Sequence, residues 1–283
     1  MRTGRDTEGG RRMERGQVDL HEKLWPGKRP VVGVIHLLPL PGSPRWGGSM
    51  AEVLERSLEE AEILREGGLD GLLVENFMDA PFHPDSVPPE TVAAMATVVH
   101  PVVAGSSIPV GVNVLRNDAG AALAVAAATG ASFIRVNVHT GSMFTDQGLL
   151  HGQAHATLRK RRALGIEVAI LADVLVKHAT PPPGATLESA ARDGWHRGLA
   201  DGLILTGTET GAPVQRDQLR RVREAIPGSG RIWVGSGAAP ETAEGLLEYA
   251  DGIIVGSALQ KGGRAGGGVE RRRVELFMER LHR

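Results

Sequence analysis

Seven side chains in this sequence combine reactive chemistry with a periodic setting: His36, Glu75, Asn113, Arg135, Asn137, His139 and Asp173. The pattern is clearest around residue 135. Ile134, Val136 and Val138 share one parity, while Arg135, Asn137 and His139 share the other. Alternate residues of a strand point to opposite faces, so the three polar groups are expected on one side. Asn113 is likewise set against Val112 and Val114, and Asp173 against Ala172 and Val174; His36 and Glu75 close apolar runs. Glu75 and Asp173 are the candidates for acid/base catalysis, with His36 and His139 in support. Asn113 and Asn137 do not titrate in a useful range and are expected to orient substrate hydroxyls or carbonyls. A buried Arg135 is costly unless it meets Glu75, Asp173 or a substrate anion.

Each residue also has a plainer reading. His36 could be a hydrogen-bonded core histidine, and Asp173 could anchor Arg135 or Lys177 in an ion pair. Thr206 and Lys177 extend the candidate substrate-binding set. Lys177 falls outside any strand interior, which favours a carboxylate mechanism over a Schiff base. His36, Glu75, Asp173 and His178 could be imagined around a divalent metal, but their spacing matches no diagnostic ligand pattern. No metal or other cofactor is therefore expected.

A second kind of chemistry resides in two glycine turns. One apolar run ends at Gly235, Ser236 and Gly237, the next at Gly256 and Ser257. Turns nearly free of side chains expose backbone N–H groups, and those followed by a helix make a pocket for phosphate. These five residues are the expected phosphate-binding set. The alternative is that the glycines only let helices pack closely on strands.

The elements that must position these groups follow from hydropathy. Short β-branched runs recur at 31–36, 70–75, 109–114, 132–138, 166–174, 201–206, 231–235 and 251–256. Helical patterns lie between them at 49–66, 88–103, 118–129, 151–164, 187–198, 215–226 and 239–248, with a last one at 269–282. Strands alternating with helices imply parallel βαβ units. Eight units in about 250 residues have the size of a closed (β/α)8 TIM barrel, whose sites lie at the C-terminal strand ends and whose phosphates commonly sit after the last two strands. Leu69-Asp-Gly71, Ala200-Asp-Gly202 and Ala250-Asp-Gly252 open three strands alike and hint at internal repetition. Loops at 37–46, 77–84 and 140–149 are expected at the mouth, the last left mobile by Gly141 and Gly148.

Composition narrows the partners. Net charge is −1 with a pI near 6.8, so no overall field favours nucleic acid. The 283 residues contain no cysteine, which excludes disulfides and thiolate chemistry. No apolar run reaches the length of a membrane span, and the first residues lack a secretory pattern. A cytoplasmic protein is expected, a homo-oligomer, with a small phosphorylated metabolite as its ligand and at most peripheral membrane contact. Residues 1–29 carry eight Lys/Arg against five Asp/Glu. They read as a polar, flexible leader ending in a short helix under the barrel, with 30–283 as a single barrel domain.

Several motifs are familiar in this order. Residues 31–44, Val-Val-Gly-Val-Ile-His-Leu-Leu-Pro-Leu-Pro-Gly-Ser-Pro, resemble the opening of the BtpA/SgcQ family. Asp-Gly-Leu-Leu-Val-Glu-Asn at 70–76, Gly-Val-Asn at 111–113, Phe-Ile-Arg-Val-Asn at 133–137 and the two glycine turns are similar to it as well. The resemblance covers residues 24–283 and implies a ribulose-phosphate-binding type of barrel. One branch of that family is linked to photosystem I biogenesis; another sits among sugar-metabolism genes and looks enzymatic. From the residues, the expected function is an enzyme (lyase, isomerase or glycosidic-bond hydrolase) using carboxylate acid/base chemistry on a phosphorylated sugar or nucleotide-like metabolite. The alternatives are a non-catalytic assembly factor and a phosphometabolite-binding protein.

Overall fold

The computed structural model describes residues 19–207 and 214–281. Eight strands close into a parallel barrel: β1 (Val31–His36), β2 (Gly71–Glu75), β3 (Val110–Asn113), β4 (Phe133–Val136), β7 (Ala169–Val174), β8 (Gly202–Leu205), β9 (Ile232–Val234) and β10 (Gly252–Val255), with β10 pairing back onto β1. Outside the barrel, β5 (Ser142–Thr145) and β6 (Gly148–His151) form an antiparallel hairpin. Helices α2 (Met50–Glu66), α3 (Pro89–Ala104), α4 (Ala119–Thr129), α5 (Ala154–Leu164), α6 (Leu187–Arg192), α7 (Arg216–Ala225) and α8 (Ala243–Leu247) connect the strands. A last helix, α9 (Arg271–Arg280), follows β10. Its expected final residue, His282, lies outside the described residues.

Strand parity divides the core. Val31, Ile35, Val74, Val112 and Ile134 join the layer beneath the helices. Val32, Val34, Leu73, Phe133 and Trp233 join a separate interior cluster. Glycines make room for the interior rings: a Cβ on Gly252 would lie 2.6 Å from the Trp233 ring, and one on Gly111 2.2 Å from Phe133.

The barrel floor is sealed by α1 (Leu20–Leu24), whose N-cap Asp19 accepts from the Glu22 N–H. Trp25, 2% exposed, packs edge-on to Phe133 and Trp233 and donates its indole N–H to the Asp70 carbonyl. Residues 19–29 thus belong to the barrel's packing, which corrects the boundary of the polar leader; residues 1–18 lie outside the described residues. Trp25→Ala should cost about 3–5 kcal/mol, the usual loss on emptying a buried aromatic site. Urea unfolding measures it, and a loss below about 1 kcal/mol would contradict the plug.

The repeated Asp-Gly pairs have a structural cause. Asp70, Asp201 and Asp251 each accept the N–H at or near the start of the neighbouring strand, from Val31, Ile170 and Ile232 at 3.0, 2.8 and 2.7 Å. They tie strand starts together at the floor, away from the mouth.

Three expected elements need correction. The loop at 140–149 is mostly hairpin, because Met143 and Leu150 face inward and are buried while Phe144 and Leu149 face out. Its tip turns through Gly148 at φ +100°, with Thr145 Oγ1 donating to the Gly148 carbonyl. The helix expected from 151 consequently starts at Ala154, and the helix at 187–198 becomes α6 followed by a π-helical turn over Asp193–Arg197.

Candidate active site

A cavity of about 680 Å³ opens at the C-terminal ends of the strands. His36, Glu75, Asn113, Arg135, Asn137 and Lys177 all line it, as do the turns at 235–237 and 256–257. Glu75 ends β2, where its neighbours on β1 and β3 are His36 and Asn113. Asn113 Nδ2 donates to Glu75 Oε1 at 3.0 Å, Arg135 Nη1 reaches the same oxygen at 3.4 Å, and His36 Nε2 faces Oε2 at 3.6 Å.

Hydrogen bonding fixes the state of His36. The Gly266 N–H donates to its Nδ1 at 3.1 Å, and the Gln260 amide also lies 2.8 Å from that nitrogen. A backbone N–H only donates, so Nδ1 is the acceptor and the ring proton sits on Nε2, towards Glu75. Phe77 stacks on the ring at 4.3 Å.

Burial alone would raise the Glu75 carboxyl. The facing His36, the Arg135 charge and the Asn113 amide outweigh it and hold the group at about 2. Because the folded value lies below the ordinary 4.5, this carboxylate contributes stability above that value and loses it as pH falls from 4.5 towards 2. The contribution is roughly 3 kcal/mol as an upper bound. Denaturant titrations from pH 5 to 2 should therefore show a smaller acid-linked loss for Glu75→Gln than for the parent. Equal losses would contradict the assignment.

Asp173 is otherwise occupied. Its two oxygens accept Arg135 Nη2 and Nε, both at 3.0 Å, and Asn137 Nδ2 donates to Oδ2 at 2.7 Å. Its side chain is 0% exposed. The carboxylate holds Arg135 rather than meeting the cavity, which corrects the expectation that it exchanges protons with a substrate. The charges of Asp173 and Glu75 raise Arg135 against the opposing effect of burial, so the guanidinium stays cationic. Asn137 Oδ1 is buried without a partner among the described residues.

His139, also expected to assist catalysis, lies away from the cavity lining. The strand alternation ends at Val136, and the His139 ring turns to Gly198, its Nε2 lying 2.8 Å from that carbonyl. Burial lowers its pKa against the effect of that carbonyl, leaving a neutral, structural imidazole. Thr206 Oγ1 accepts the Lys177 N–H at 3.2 Å, so this residue positions Lys177 instead of lining the cavity. The Lys177 ammonium has no hydrogen bond or ion pair among the described residues, and burial together with Arg135 lowers its pKa.

The glycine turns divide in role. Gly235 donates its N–H to the Leu205 carbonyl, and a Cβ there would lie 2.3 Å from Ile204 Cγ2, so it is a packing glycine and not a phosphate ligand. Ser236 accepts the Gly207 N–H through its hydroxyl. The N–H groups of Ser236, Gly237, Ser257 and Ala258 have no acceptor among the described residues, and all four residues line the cavity. Gly237 takes φ +74°, a conformation that favours glycine. Gly256 presents its Cα towards His36, and an added Cβ would stand 3.4 Å from His36 Cε1.

No three His, Asp or Glu side chains converge as metal ligands among the described residues. Of the imagined set, Asp173 is saturated by Arg135 and Asn137, and His36 Nδ1 by backbone and amide donors. Sequence reasoning missed Arg45, Arg116 and Asp146, which also line the cavity. Arg116 and Asp146 sit on a loop and a hairpin tip, where strand parity gives no direction. No helix among the described residues is long and apolar enough to cross a membrane.

Known proteins share this architecture. N-(5'-phosphoribosyl)anthranilate isomerase from Pyrococcus furiosus superposes with a TM-score of 0.53 at 17% identity, covering 90% of this chain and 98% of that one. At that identity the likeness shows the fold alone. Sequence relatives lie nearer. The Photosystem I biogenesis protein BtpA of Synechocystis is 49% identical over 252 residues, 89% of this chain and 88% of that protein. The sgc region protein SgcQ of Escherichia coli is 30% identical over 258 residues, 90% of this chain and 95% of that protein. The sequence pattern of the BtpA family matches residues 27–283, and with the eight-stranded barrel and the motifs that line its mouth, the chain belongs to the BtpA family.

Proposed function

We propose that this chain is an enzyme that binds a small phosphorylated sugar or nucleotide-like metabolite in the barrel mouth and moves a proton with Glu75. The observation that carries the reading is the shared cavity: unpaired N–H groups of Ser236, Gly237, Ser257 and Ala258 on one side, an ionised Glu75 among donors on the other. The phosphate accepts from those amides. Asn113 and Asn137 orient hydroxyls, and His36 offers its Nε2 proton to a substrate oxygen. Substrate oxygens that draw His36 or Arg135 away from Glu75 leave it buried with fewer donors, which raises its basicity on binding. Glu75 then takes a proton from a carbon or hydroxyl beside the carbonyl, and the adjacent cation stabilises the oxyanion left behind. This suits isomerisation or aldol-type cleavage. Hydrolysis by a carboxylate pair is less suited, since Asp173 is committed to Arg135. The phosphoribosyl substrate in the name of the structural neighbour is consistent with the same ligand class.

Gly256→Val tests the phosphate pocket, since its branches project from a Cβ already in contact with His36. Phosphomonoester affinity should fall about 10- to 100-fold by calorimetry, the worth of one hydrogen bond to a charged group. Gly256→Ala, which fits the space, should change it little. Unchanged affinity in the valine variant would remove the phosphate from these turns.

The name of the Synechocystis relative supports a second reading, a barrel used in assembly. Phe144 and Leu149, paired and exposed on the hairpin, would suit such a surface. The two readings part at Glu75→Gln, which an assembly role tolerates and an enzyme does not. A cytoplasmic homo-oligomer belongs to the first reading, and sedimentation velocity would measure its size.

A further inference from the structure

Arg116 and Lys177 are the two buried or half-buried cations of the cavity that no carboxylate among the described residues reaches within ion-pair distance, although the charges of Glu75 and Asp173 act on both. Arg135 is paired by Asp173 and Glu75. Arg116 is 7% exposed, yet its guanidinium makes one hydrogen bond among the described residues, from Nη2 to the Lys177 carbonyl at 3.0 Å. Neither Arg116 nor Lys177 lies within ion-pair distance of an acidic group among the described residues, although Asp146 also lines the cavity. Removing a cation from water costs several kcal/mol unless an anion and hydrogen bonds replace the lost hydration.

Several contacts hold these cations in place. Asn76 Oδ1 accepts the Leu115 N–H at 2.7 Å, and Arg116 donates its own N–H to the His83 carbonyl at 3.0 Å. Thr206 fixes the backbone of Lys177. Such bracing lowers the ordering cost of binding. Position adds direction. Arg116 follows β3, four strands around the ring of eight from β9, whose turn at 235–237 bears the free amides. Arg116 therefore lies across the mouth from those amides, while Lys177, which follows β7, lies two strands from β9, and Glu75, Asn113 and Asn137 line the same cavity.

We infer that the ligand carries two anionic groups, a phosphate at the glycine turns and a second phosphate or a carboxylate at Arg116 and Lys177, joined by a short hydroxylated chain. The inference rests on the phosphate reading above and narrows its substrate class. A monophosphate would leave both cations unanswered. The bridging chain then lies across Glu75, where a proton can be taken from its middle carbons.

Calorimetry with three probes on one five-carbon scaffold tests this: ribulose 5-phosphate, ribulose 1,5-bisphosphate and 5-phosphoribonate. At least one two-anion probe should bind the parent about 10- to 100-fold more tightly than ribulose 5-phosphate, the gain from one charged hydrogen bond. Which of the two gains identifies the second group. Lys177→Met should erase the preference, bringing the affinities of the two-anion probes down to that of ribulose 5-phosphate; its ammonium holds no structural bond among the described residues, so the fold is not at stake. Arg116→Met, which also loses the tie to the Lys177 carbonyl, serves as the second variant. No preference in the parent, or one that survives both substitutions, overturns the second anion and leaves the phosphate reading standing. If Gly256→Val keeps all three affinities while Lys177→Met lowers those of the two-anion probes, the phosphate reading fails and the cationic subsite stands. Binding of none of the three by the parent overturns both.

Discussion

The Asp173→Asn variant will be about 3–5 kcal/mol less stable than the parent, the cost of removing one partner from a buried ion pair. Arg135 is 6% exposed and depends on Asp173 for two hydrogen bonds of 3.0 Å. Asparagine keeps one acceptor and places an amide N–H donor where Arg135 needs the other. The guanidinium would be left with that single bond and Glu75 at 3.4 Å, while Asn137 loses the full charge of its partner. For a chain of this size the melting temperature should fall by roughly 10 °C. Urea unfolding of the two proteins at pH 7 measures the difference. A change below about 1 kcal/mol would mean that Arg135 is satisfied some other way and would reopen Asp173 as a reacting group.

Glu75→Gln should show the converse: turnover about 10²–10⁴ lower, the usual loss on removing a general base. The substitution is isosteric. Arg135 keeps its paired contact with Asp173, and the amide oxygen of the introduced glutamine can still accept from Asn113. The stability loss should thus stay within the roughly 3 kcal/mol that the ionised carboxylate contributes, below that of Asp173→Asn. The informative quantity is the contrast between kcat and melting temperature in the two variants. Parent-like turnover in Glu75→Gln would leave the polar mouth as a binding site without carboxylate catalysis.

The parity of residues 133–137 makes the inward direction of Arg135 and Asn137 legible in the sequence alone, because a polar residue between two apolar ones in a buried strand has only the lumen to face. The same logic places Asn113 and Glu75. It fails at His139, three residues past the end of β4, where the chain has left the strand for the hairpin. For Asp173 it finds the direction but not the partner: pairing across β4 and β7 is a property of the closed sheet, which sets Arg135 beside Leu171 and brings Asp173 within reach. The hairpin itself has a signal, the inward Met143 and Leu150 against the outward Phe144 and Leu149. Arg116 has none, since its placement depends on Asn76 gripping the loop from another strand. Gly235 looks like its neighbours in the glycine turn, but only the register of β8 and β9 reveals that its N–H belongs to the sheet.

At the centre of the proposed function is a phosphoryl group bound at the turns after β9 and β10, presenting its carbon chain to Glu75. Diffraction from crystals soaked in saturating ribulose 5-phosphate tests it most directly. The expected result is phosphoryl density within hydrogen-bond distance of the Ser236, Gly237 and Ser257 N–H groups, with the sugar carbons running towards Glu75 and Asn113. Phosphoryl density elsewhere on the barrel, or a cavity left empty at saturation, would contradict it.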